Sequence, residues 1–347
     1  MDGRSPSFTL PVVFVVVATA LNACGPGTLV VGLEPTTLQS HDSPVESVVF
    51  SPDGRLLATG SRDGTVRVWR VGEGPSDFAL LITRRISTGD MEARYSHDVS
   101  FSPDGNTLAF GLPDGSVRLW RLSRGRGGED GLSDLEVVSL HTLRAGEDAI
   151  CSLDFAPDGR TLAAGSGDAS VHLWRVVDGT HVRSLKAHTN DVVSVAYSPD
   201  GEKLATASLD GATRLWEMAT GTMIHERDGS AAATGVAFSL DGSLLAVTTS
   251  TGERQLLNGA DLSLMRELES TGSGMGDIAF SPDGTMVAAG NAWYEVAWWN
   301  VADGALMTVE RAHTDSVNSV AFSPDGETLA SGSLDGTVKL WRVPSIR

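Results

Sequence analysis

The sequence predicts an all-β protein, a seven-bladed β-propeller built of four-stranded blades. Three observations predict it: a repeated turn motif, a nearly constant period, and short strand-like runs between the turns. The motif is Ser-Pro-Asp-Gly or a close variant, and successive copies are 51, 54, 42, 41, 42 and 42 residues apart. A period near 42 residues is typical of a four-stranded propeller blade, and seven copies indicate seven blades. The copies begin at Ser51, Ser102, Ala156, Ser198, Ser239, Ser281 and Ser323.

The last repeat shows how each unit divides into strands and turns. An apolar-rich run, Val317–Phe322, is followed by the turn Ser323–Gly326 and by a second run, Thr328–Ser333. Proline presets φ at the second turn position and glycine accepts the left-handed position, so this turn closes a hairpin. Leu334–Gly336 is a second tight turn, and Thr337–Val343 is the third strand. Short strands with turn signals about every ten residues indicate an all-β architecture.

The fourth, outer strand of each repeat is weaker, and the last repeat lacks one. Met223–Arg227 and Leu306–Glu310 are examples of outer strands, whereas the chain stops just after the third strand of the last repeat. Gly32–Leu38 precedes His41 as residues 180–185 precede His188. We therefore expect the N-terminal segment to supply the missing strand and close the ring, which removes exposed sheet edges.

The repeats resemble those of the WD-repeat family over nearly all of residues 33–343. The resemblance depends on the period and on a recurring Ser-x-Asp-Gly-x-Val-x-Leu-Trp pattern. The residue after the tryptophan is Arg, Glu or Asn, never the aspartate that gives the family its name, and we expect this change to lie at the surface. The signature tryptophans are Trp69, Trp120, Trp174, Trp216, Trp299 and Trp341.

The resemblance implies a structural hydrogen-bond network that links a histidine, a hydroxyl, the tight-turn aspartate and the tryptophan. Three repeats carry all four residues, with identical offsets of 18, 22 and 28 residues from the histidine. A buried indole N–H needs an acceptor, and a hydroxyl can accept from it and donate onward. Catalysis by such a triad would require an exposed hydroxyl, so we interpret the network as structural. Its members are His41, Thr59, Asp63 and Trp69; His188, Thr206, Asp210 and Trp216; and His313, Ser331, Asp335 and Trp341.

Repeats five and six depart from this pattern and suggest a binding surface. Leu257 replaces the tryptophan and Thr251 the turn aspartate in repeat five, while Trp293 and Tyr294 replace Asp-Gly in repeat six. In the family this turn faces the upper surface, where partners usually dock. An aromatic residue there either anchors a partner or packs over the space left by the hydrogen-bond network that repeat five lacks. Six further residues stand at repeat positions that the family commonly uses for partner contact and are therefore candidate partner-binding residues: Arg62, Leu209, Leu334, Glu46, His97 and Asn318.

Catalytic and metal sites are weakly indicated. No phosphate loop, His-Glu-x-x-His, Cys-x-x-Cys or Gly-x-Ser-x-Gly motif occurs, and the Asp-Gly pairs are interpreted as turns rather than calcium loops. Glu46, His97 and Cys151 occupy the same position in repeats one to three, and all three residue types bind zinc. Equivalent atoms of neighbouring blades are expected to lie too far apart for one ion. We therefore predict polar residues at the channel mouth, with no metal and no cofactor.

Charge and the N-terminal segment bear on partners and location. The formal net charge of −18 disfavours nucleic acid as a partner. The 12-residue apolar run Leu10–Leu21 is too short to span a bilayer but has the length of a secretory signal core. Leu21-Asn22-Ala23-Cys24 resembles the lipobox of bacterial lipoproteins, which implies lipidation of Cys24. An uncleaved anchor and a buried strand remain alternatives.

These observations predict three parts: a signal peptide over residues 1–23, a linker over 24–32 and the propeller over 33–347. Arg124–Asp130 is interpreted as a flexible loop. The predicted function is a non-catalytic scaffold that binds a protein or peptide on its upper face, as a monomeric propeller held by a lipid anchor on the extracytoplasmic side of a bacterial membrane. The alternatives are a hydrolase or lyase that uses the central channel, and a cytosolic scaffold.

Overall fold

The computed structural model describes residues 34–72, 77–86, 97–123, 135–186, 188–272, 274 and 276–344. Within them the chain forms seven antiparallel sheets of four strands each. Residues 1–23, Cys24 and Arg124–Asp130 lie outside the described residues.

Each sheet is one blade, and its strands are numbered in chain order from the channel outward. Blade 1 contains β2 (Val45–Phe50), β3 (Leu56–Ser61), β4 (Thr65–Val71) and β5 (Phe78–Arg85). Blade 2 contains β6 (Val99–Phe101), β7 (Thr107–Gly111), β8 (Ser116–Ser123) and β9 (Glu136–Arg144). Blade 3 contains β10 (Ile150–Phe155), β11 (Thr161–Ser166), β12 (Ser170–Arg175) and β13 (His181–Lys186). Blade 4 contains β14 (Val192–Tyr197), β15 (Lys203–Ser208), β16 (Ala212–Glu217) and β17 (Thr222–Asp228).

The remaining blades follow the same order. Blade 5 contains β18 (Ala233–Phe238), β19 (Leu244–Thr249), β20 (Arg254–Asn258) and β21 (Leu264–Glu267). Blade 6 contains β22 (Ile278–Phe280), β23 (Met286–Gly290), β24 (Glu295–Asn300) and β25 (Leu306–Arg311). Blade 7 contains β26 (Val317–Phe322), β27 (Thr328–Ser333), β28 (Thr337–Arg342) and, as its outer strand, β1 (Thr36–Gln39).

The first strand closes the ring. β1 pairs antiparallel with β28, with Thr36 opposite Leu340 and Gln39 opposite Thr337. Inner strand β2 contacts β26 on one side and β6 on the other, so blade 1 lies between blades 7 and 2. The predicted seven-bladed propeller and its N-terminal closure are confirmed.

The two faces of the propeller differ in their turns. The lower face carries the Ser-Pro-Asp-Gly turns, which join the first two strands of each blade, and the upper face carries the tight turns between the second and third strands. In the lower turn of blade 7, the Ser323 hydroxyl donates to Asp325 Oδ1 at 2.5 Å, and Gly326 has a φ of 73°. A residue with a Cβ is strained in that left-handed conformation, which explains the glycine.

One lower turn breaks the pattern. A Cβ built on the glycine of the other six lower turns would contact the proline of the preceding blade, as Gly326 would contact Pro282 Cδ at 3.6 Å. Gly284 of blade 6 has no such neighbour within 4 Å, because blade 5 has Leu240 in place of proline. The Leu240 side chain is 70% exposed.

The core lies between blades rather than at one centre. Seven apolar clusters occur in the described part of the chain, and each combines residues of two neighbouring blades. Trp341 of blade 7 packs with Trp298 of blade 6, with ring centroids 5.8 Å apart. Large side chains buried at each junction fix the angle between blades and keep the strand ends in place on both faces.

Candidate functional site

The four-residue network of blade 7 forms a continuous hydrogen-bonded chain. Trp341 Nε1 donates to Ser331 Oγ at 2.8 Å, Ser331 Oγ lies 2.8 Å from His313 Nε2, and His313 Nδ1 lies 3.0 Å from Asp335 Oδ2. Because Ser331 accepts from the indole, its own proton is available to His313 Nε2. His313 is then a neutral imidazole that donates from Nδ1 to the carboxylate.

Blades 1 and 4 repeat this geometry. His41 lies 2.9 Å from Asp63 and 2.8 Å from Thr59, which accepts from Trp69 at 3.3 Å. The corresponding distances in blade 4 are 3.0 Å for His188–Asp210, 2.8 Å for His188–Thr206 and 3.2 Å for Trp216–Thr206. The structure thus brings together all four residues in each of the three repeats.

The electrostatics of the networks suit a structural role. Burial lowers the pKa of His188 and of His313, which keeps both imidazoles neutral near pH 7. Burial raises the pKa of Asp335, but hydrogen bonds from His313 and Thr337 outweigh it and hold that pKa far below its usual range. Thr59, Thr206 and Ser331 are fully buried and bonded on both sides, so none is placed to attack a substrate.

Blade 3 has a different chain of hydrogen bonds, which the sequence analysis missed. His172 is buried; its Nε2 lies 3.0 Å from Asp168 Oδ2 and its Nδ1 lies 2.9 Å from Ser184 Oγ. Ser184 Oγ also lies 3.0 Å from His181 Nε2. Ser184 is exposed on outer strand β13, so the chain resembles a hydrolase triad in connectivity, but its serine lies on the outer edge of the blade.

Three of the candidate partner-binding residues form one cluster on the upper side of the junction between blades 1 and 7. The guanidinium of Arg62 forms an ion pair with Glu46 Oε1, and Asn318 Nδ2 donates to Glu46 Oε2 at 2.9 Å. Burial raises the pKa of Glu46, whereas Arg62 and Asn318 oppose that rise. The Arg62 side chain is about a quarter exposed, so its free edge is the part available to a partner.

The other candidates differ in their exposure. His97 precedes β6 with a φ of 83° and is fully buried, so the expectation that its side chain contributes to the upper surface is wrong. Leu209 and Leu334 are half-buried beside their turn aspartates. Cys151 is buried, and burial raises the pKa of its thiol to about 12. Among the described residues, no group of three or more His, Cys, Asp or Glu side chains is arranged to hold a metal ion.

The upper turn of blade 6 combines an exposed aromatic side chain with a strained backbone. Trp293 is 54% exposed, and one face of its ring lies against Gly272, where an added Cβ would be 2.2 Å from Trp293 Cε3. Asn291 takes over the role of the missing aspartate and accepts from the Trp293 and Glu295 backbone N–H groups at 2.8 and 3.1 Å. Tyr294 has a φ of 73°, a conformation that costs a bulky residue about 1 kcal/mol or more.

Arg254 is buried at the junction between blades 5 and 6, on the face of β20 opposite to Leu257, which replaces the signature tryptophan and packs toward blade 4. The Arg254 side chain is 2% exposed, lies 5.0 Å from the centroid of Trp299, and donates from Nη1 to the Gly252 carbonyl at 3.0 Å. Burial lowers the pKa of Arg254 to about 10, and Glu295 opposes that shift. The Trp293 ring, on the upper turn of blade 6, keeps more than half of its surface in solvent.

Comparison with known protein families shows to which family the chain belongs. The family model described as "WD domain, G-beta repeat" matches residues 32–70, 95–121, 137–175, 179–217 and 304–342, together more than half of the chain. The chain belongs to the WD40 family. The unmatched stretch between residues 217 and 304 contains blade 5 and most of blade 6, where the tryptophan network is lost.

Curated WD40 proteins are similar to this chain over part of their length. A small ribosomal subunit protein RACK1y of Oryza sativa subsp. japonica is 30% identical over 141 residues, 41% of this chain and 37% of that protein. WD repeat-containing protein SL1-17 of Schistosoma mansoni is 32% identical over 133 residues, 38% and 37%. A guanine nucleotide-binding protein subunit beta of Oryza sativa subsp. indica is 30% identical over 139 residues, 40% and 34%. The matched segments span little more than a third of each of these relatives.

The channel of this WD40 propeller is lined by an inner belt, the residues four positions before each lower turn motif: Ser47, Asp98, Ser152, Ser194, Gly235, Asp277 and Ser319. Belt side chains bridge neighbouring blades. Ser152 Oγ accepts from the Val195 N–H at 3.1 Å, and Ser319 Oγ accepts from the Val48 N–H at 3.2 Å. Within the part of the chain that the structure describes, there is no helix long and apolar enough to cross a membrane.

Proposed function

We propose that this protein is a non-catalytic binding scaffold that holds a protein or peptide partner on the upper face of its propeller. The observation that carries the proposal is Trp293, a tryptophan that is more than half exposed on a strained turn. Tryptophan is enriched among the residues that dominate interface energies, and strained backbone is retained mainly at functional sites.

The relatives support the class of function. The names of two of them, small ribosomal subunit protein and guanine nucleotide-binding protein subunit beta, describe components of larger assemblies. One chain provides all 28 described strands of the ring, which supports a monomeric propeller as the binding unit. The net charge of −18 supports a protein partner over nucleic acid.

The blade 6 turn is expected to be the main anchor for that partner. A variant with a photo-crosslinking amino acid at position 293 is used to identify the partner. The affinity of that partner is then measured for the wild-type protein and for the Trp293→Ala variant. We expect the affinity to fall by about 30-fold or more, because truncation of an interface tryptophan typically costs about 2 kcal/mol or more.

Val177→Ala is the matched control, because Val177 is 79% exposed in the loop between β12 and β13 on the lower face. This control should bind the partner with wild-type affinity. A Trp293→Ala variant that binds as tightly as the Val177→Ala variant would exclude the upper turn of blade 6 as the anchor.

We further propose that the propeller is held on the extracytoplasmic side of a bacterial membrane by a lipid on Cys24. Support comes from the sequence alone: the apolar run Leu10–Leu21 and the lipobox-like Leu21–Cys24 segment. In a bacterial host, the mature membrane-bound chain should begin at an acylated Cys24, and Cys24→Ala should leave the chain unprocessed. Intact mass measurement decides, since a chain that keeps residues 1–23 without lipid would favour the cytosolic alternative.

A further inference from the structure

The propeller contains a cavity of about 760 Å³ that opens on the lower face. Its wall extends from the inner belt to the turn prolines Pro157, Pro199, Pro282 and Pro324 and to Leu240. From Ser319 to Pro324 is five residues, or about 16 Å of extended strand at about 3.3 Å per residue. A cavity of this volume is within the size range of small-molecule sites.

Three carboxylates line this cavity without a basic partner. Asp98 and Asp277 belong to the inner belt, in blades 2 and 6, and Asp154 lies two residues nearer the lower face in blade 3. No Lys, Arg or His is present among the described residues that line the cavity. The wall between the carboxylates is apolar, and Ala196, Ala237, Ala279 and Ala321 line it at the position equivalent to Asp154.

The three carboxylates are not equally engaged by the protein. Asp98 joins blades, since it accepts from the Ser47 hydroxyl at 2.6 Å and from the Leu153 N–H at 2.7 Å. Asp154 accepts from the Tyr197 N–H at 2.7 Å. Asp277 accepts at 2.8 Å from the N–H of Ile278, the next residue, and faces Gly235, which has no side chain to bridge the blades.

The surroundings disfavour the ionised form of all three groups. Burial raises the pKa of Asp98 to about 6 and those of Asp154 and Asp277 to about 7, and Asp98 adds to the rise at the other two. A cation in the cavity would supply the missing countercharge.

An unpartnered hydroxyl is a second, independent feature of the cavity. Tyr197 lines it and is 7% exposed, and its buried Oη has no hydrogen-bond partner among the described residues. The other six blades have phenylalanine at this position. Tyr197 packs in one cluster with Ala156, which replaces the serine of the turn motif. A buried hydroxyl without a partner is costly, and a ligand amine that donates to it would remove that cost.

We infer that the cavity binds a linear aliphatic polyamine, with ammonium groups at Asp154 and Asp277 and methylene groups along the alanine wall. A linear free cation fits the cavity better than the side chain of a docked protein does. A lysine or arginine side chain that enters from the mouth of the cavity is shorter than the distance of about 16 Å from the mouth to the inner belt. Asp98 adds negative charge at the belt level, and the Tyr197 hydroxyl accepts from an amine. This inference is independent of the partner proposed for the upper face.

Isothermal titration of the full-length chain with spermidine tests it. We expect one saturable site, and we expect Asp154→Asn and Asp277→Asn each to weaken spermidine binding by about tenfold or more, since one lost ion pair of about 1.4 kcal/mol is a tenfold change. Asp283→Asn, which removes an exposed lower-face aspartate of blade 6, should leave the affinity within about twofold. Ala279→Phe, which fills the wall and keeps every charge, should abolish binding.

Two further measurements make the result decisive. First, the neutral isostere 1,8-octanediol should not bind. Second, Asp154→Asn and Asp277→Asn should each unfold at a temperature equal to or higher than that of the wild-type protein, because each removes a buried charge that lacks a basic partner. Equal losses in Asp277→Asn and Asp283→Asn would show charge screening and overturn the inference. Displacement of spermidine by Mg²⁺ or by a lysine-rich peptide at equal ionic strength would also overturn it, as would the absence of saturation up to about 1 mM.

Discussion

Replacing Asp335 with alanine is expected to lower the free energy of unfolding by about 2–4 kcal/mol, because one carboxylate completes a buried network. Asp335 accepts from His313 Nδ1 at 3.0 Å, from the Thr314 N–H at 2.9 Å, and from the Thr337 N–H and hydroxyl at 2.9 and 2.6 Å. Its removal leaves these donors without their acceptor at the blade that closes the ring. Urea denaturation followed by tryptophan fluorescence measures the change.

Asp325→Ala in the lower turn of the same blade is the matched control. Asp325 accepts from the Ser323 hydroxyl and the Glu327 N–H, in a turn that faces solvent, so its loss should cost about 1 kcal/mol or less. Equal destabilisation by the two variants would contradict a special role for the network.

The effect of Asp335 also depends on pH in a defined direction. Because the folded state holds the pKa of Asp335 below its unfolded value of about 3.9, its contribution is complete above that value. The contribution is lost as pH falls toward the folded pKa. The difference in stability between wild type and Asp335→Ala should therefore be constant from about pH 5 to 7 and should shrink below about pH 4. A difference that is unchanged at pH 3 would argue against an ionised Asp335.

A disulfide between positions 37 and 339 is expected to stabilise the oxidised protein by about 2–4 kcal/mol relative to its own reduced form. Thr37 and Lys339 are opposite each other in β1 and β28, and Lys339 Nζ donates to Thr37 Oγ1 at 2.8 Å, so their side chains lie on the same side of the sheet. The cross-link would enclose about 300 residues, and long loops lose the most unfolded-state entropy in the chain-entropy treatment.

Thr37→Cys and Lys339→Cys are combined in a chain that carries Cys24→Ala, which leaves buried Cys151 as the only other thiol. Urea denaturation with and without a reducing agent measures the difference on one polypeptide, and the Thr37→Cys single variant should show none. If oxidised and reduced forms unfold at the same urea concentration, the strain in the bridge offsets its entropic gain, or unfolding begins at a junction other than blade 7.

The fold could be predicted from the sequence because the signals are repeated and local. Proline and glycine in the lower turns mark each hairpin, and the predicted strands Val317–Phe322 and Thr328–Ser333 agree with the structure residue for residue. The closing strand was predicted as Gly32–Leu38 and lies at Thr36–Gln39. Strand ends shift by a few residues because pairing with the partner strand, not local propensity, determines where a strand stops.

The candidate sites were harder to predict, because they depend on what faces a residue from the next blade. His97 shares its repeat position with Glu46, yet it is fully buried while Glu46 forms an ion pair with Arg62. Arg254 was missed, although it stands where five of the blades have the valines Val66, Val117, Val171, Val296 and Val338. Comparison of repeats position by position would have identified it, since an arginine at a core position needs a special partner.

The pairing of the first strand with the last has a consequence for synthesis. β1 emerges from the ribosome about 300 residues before its partner β28, which is about 15–60 s at typical rates. Blades 1 to 6 have their four strands in consecutive order and are free to form as they emerge, whereas blade 7 must wait. A chaperone that covers residues 36–39 during this interval would protect the one strand whose partner does not yet exist.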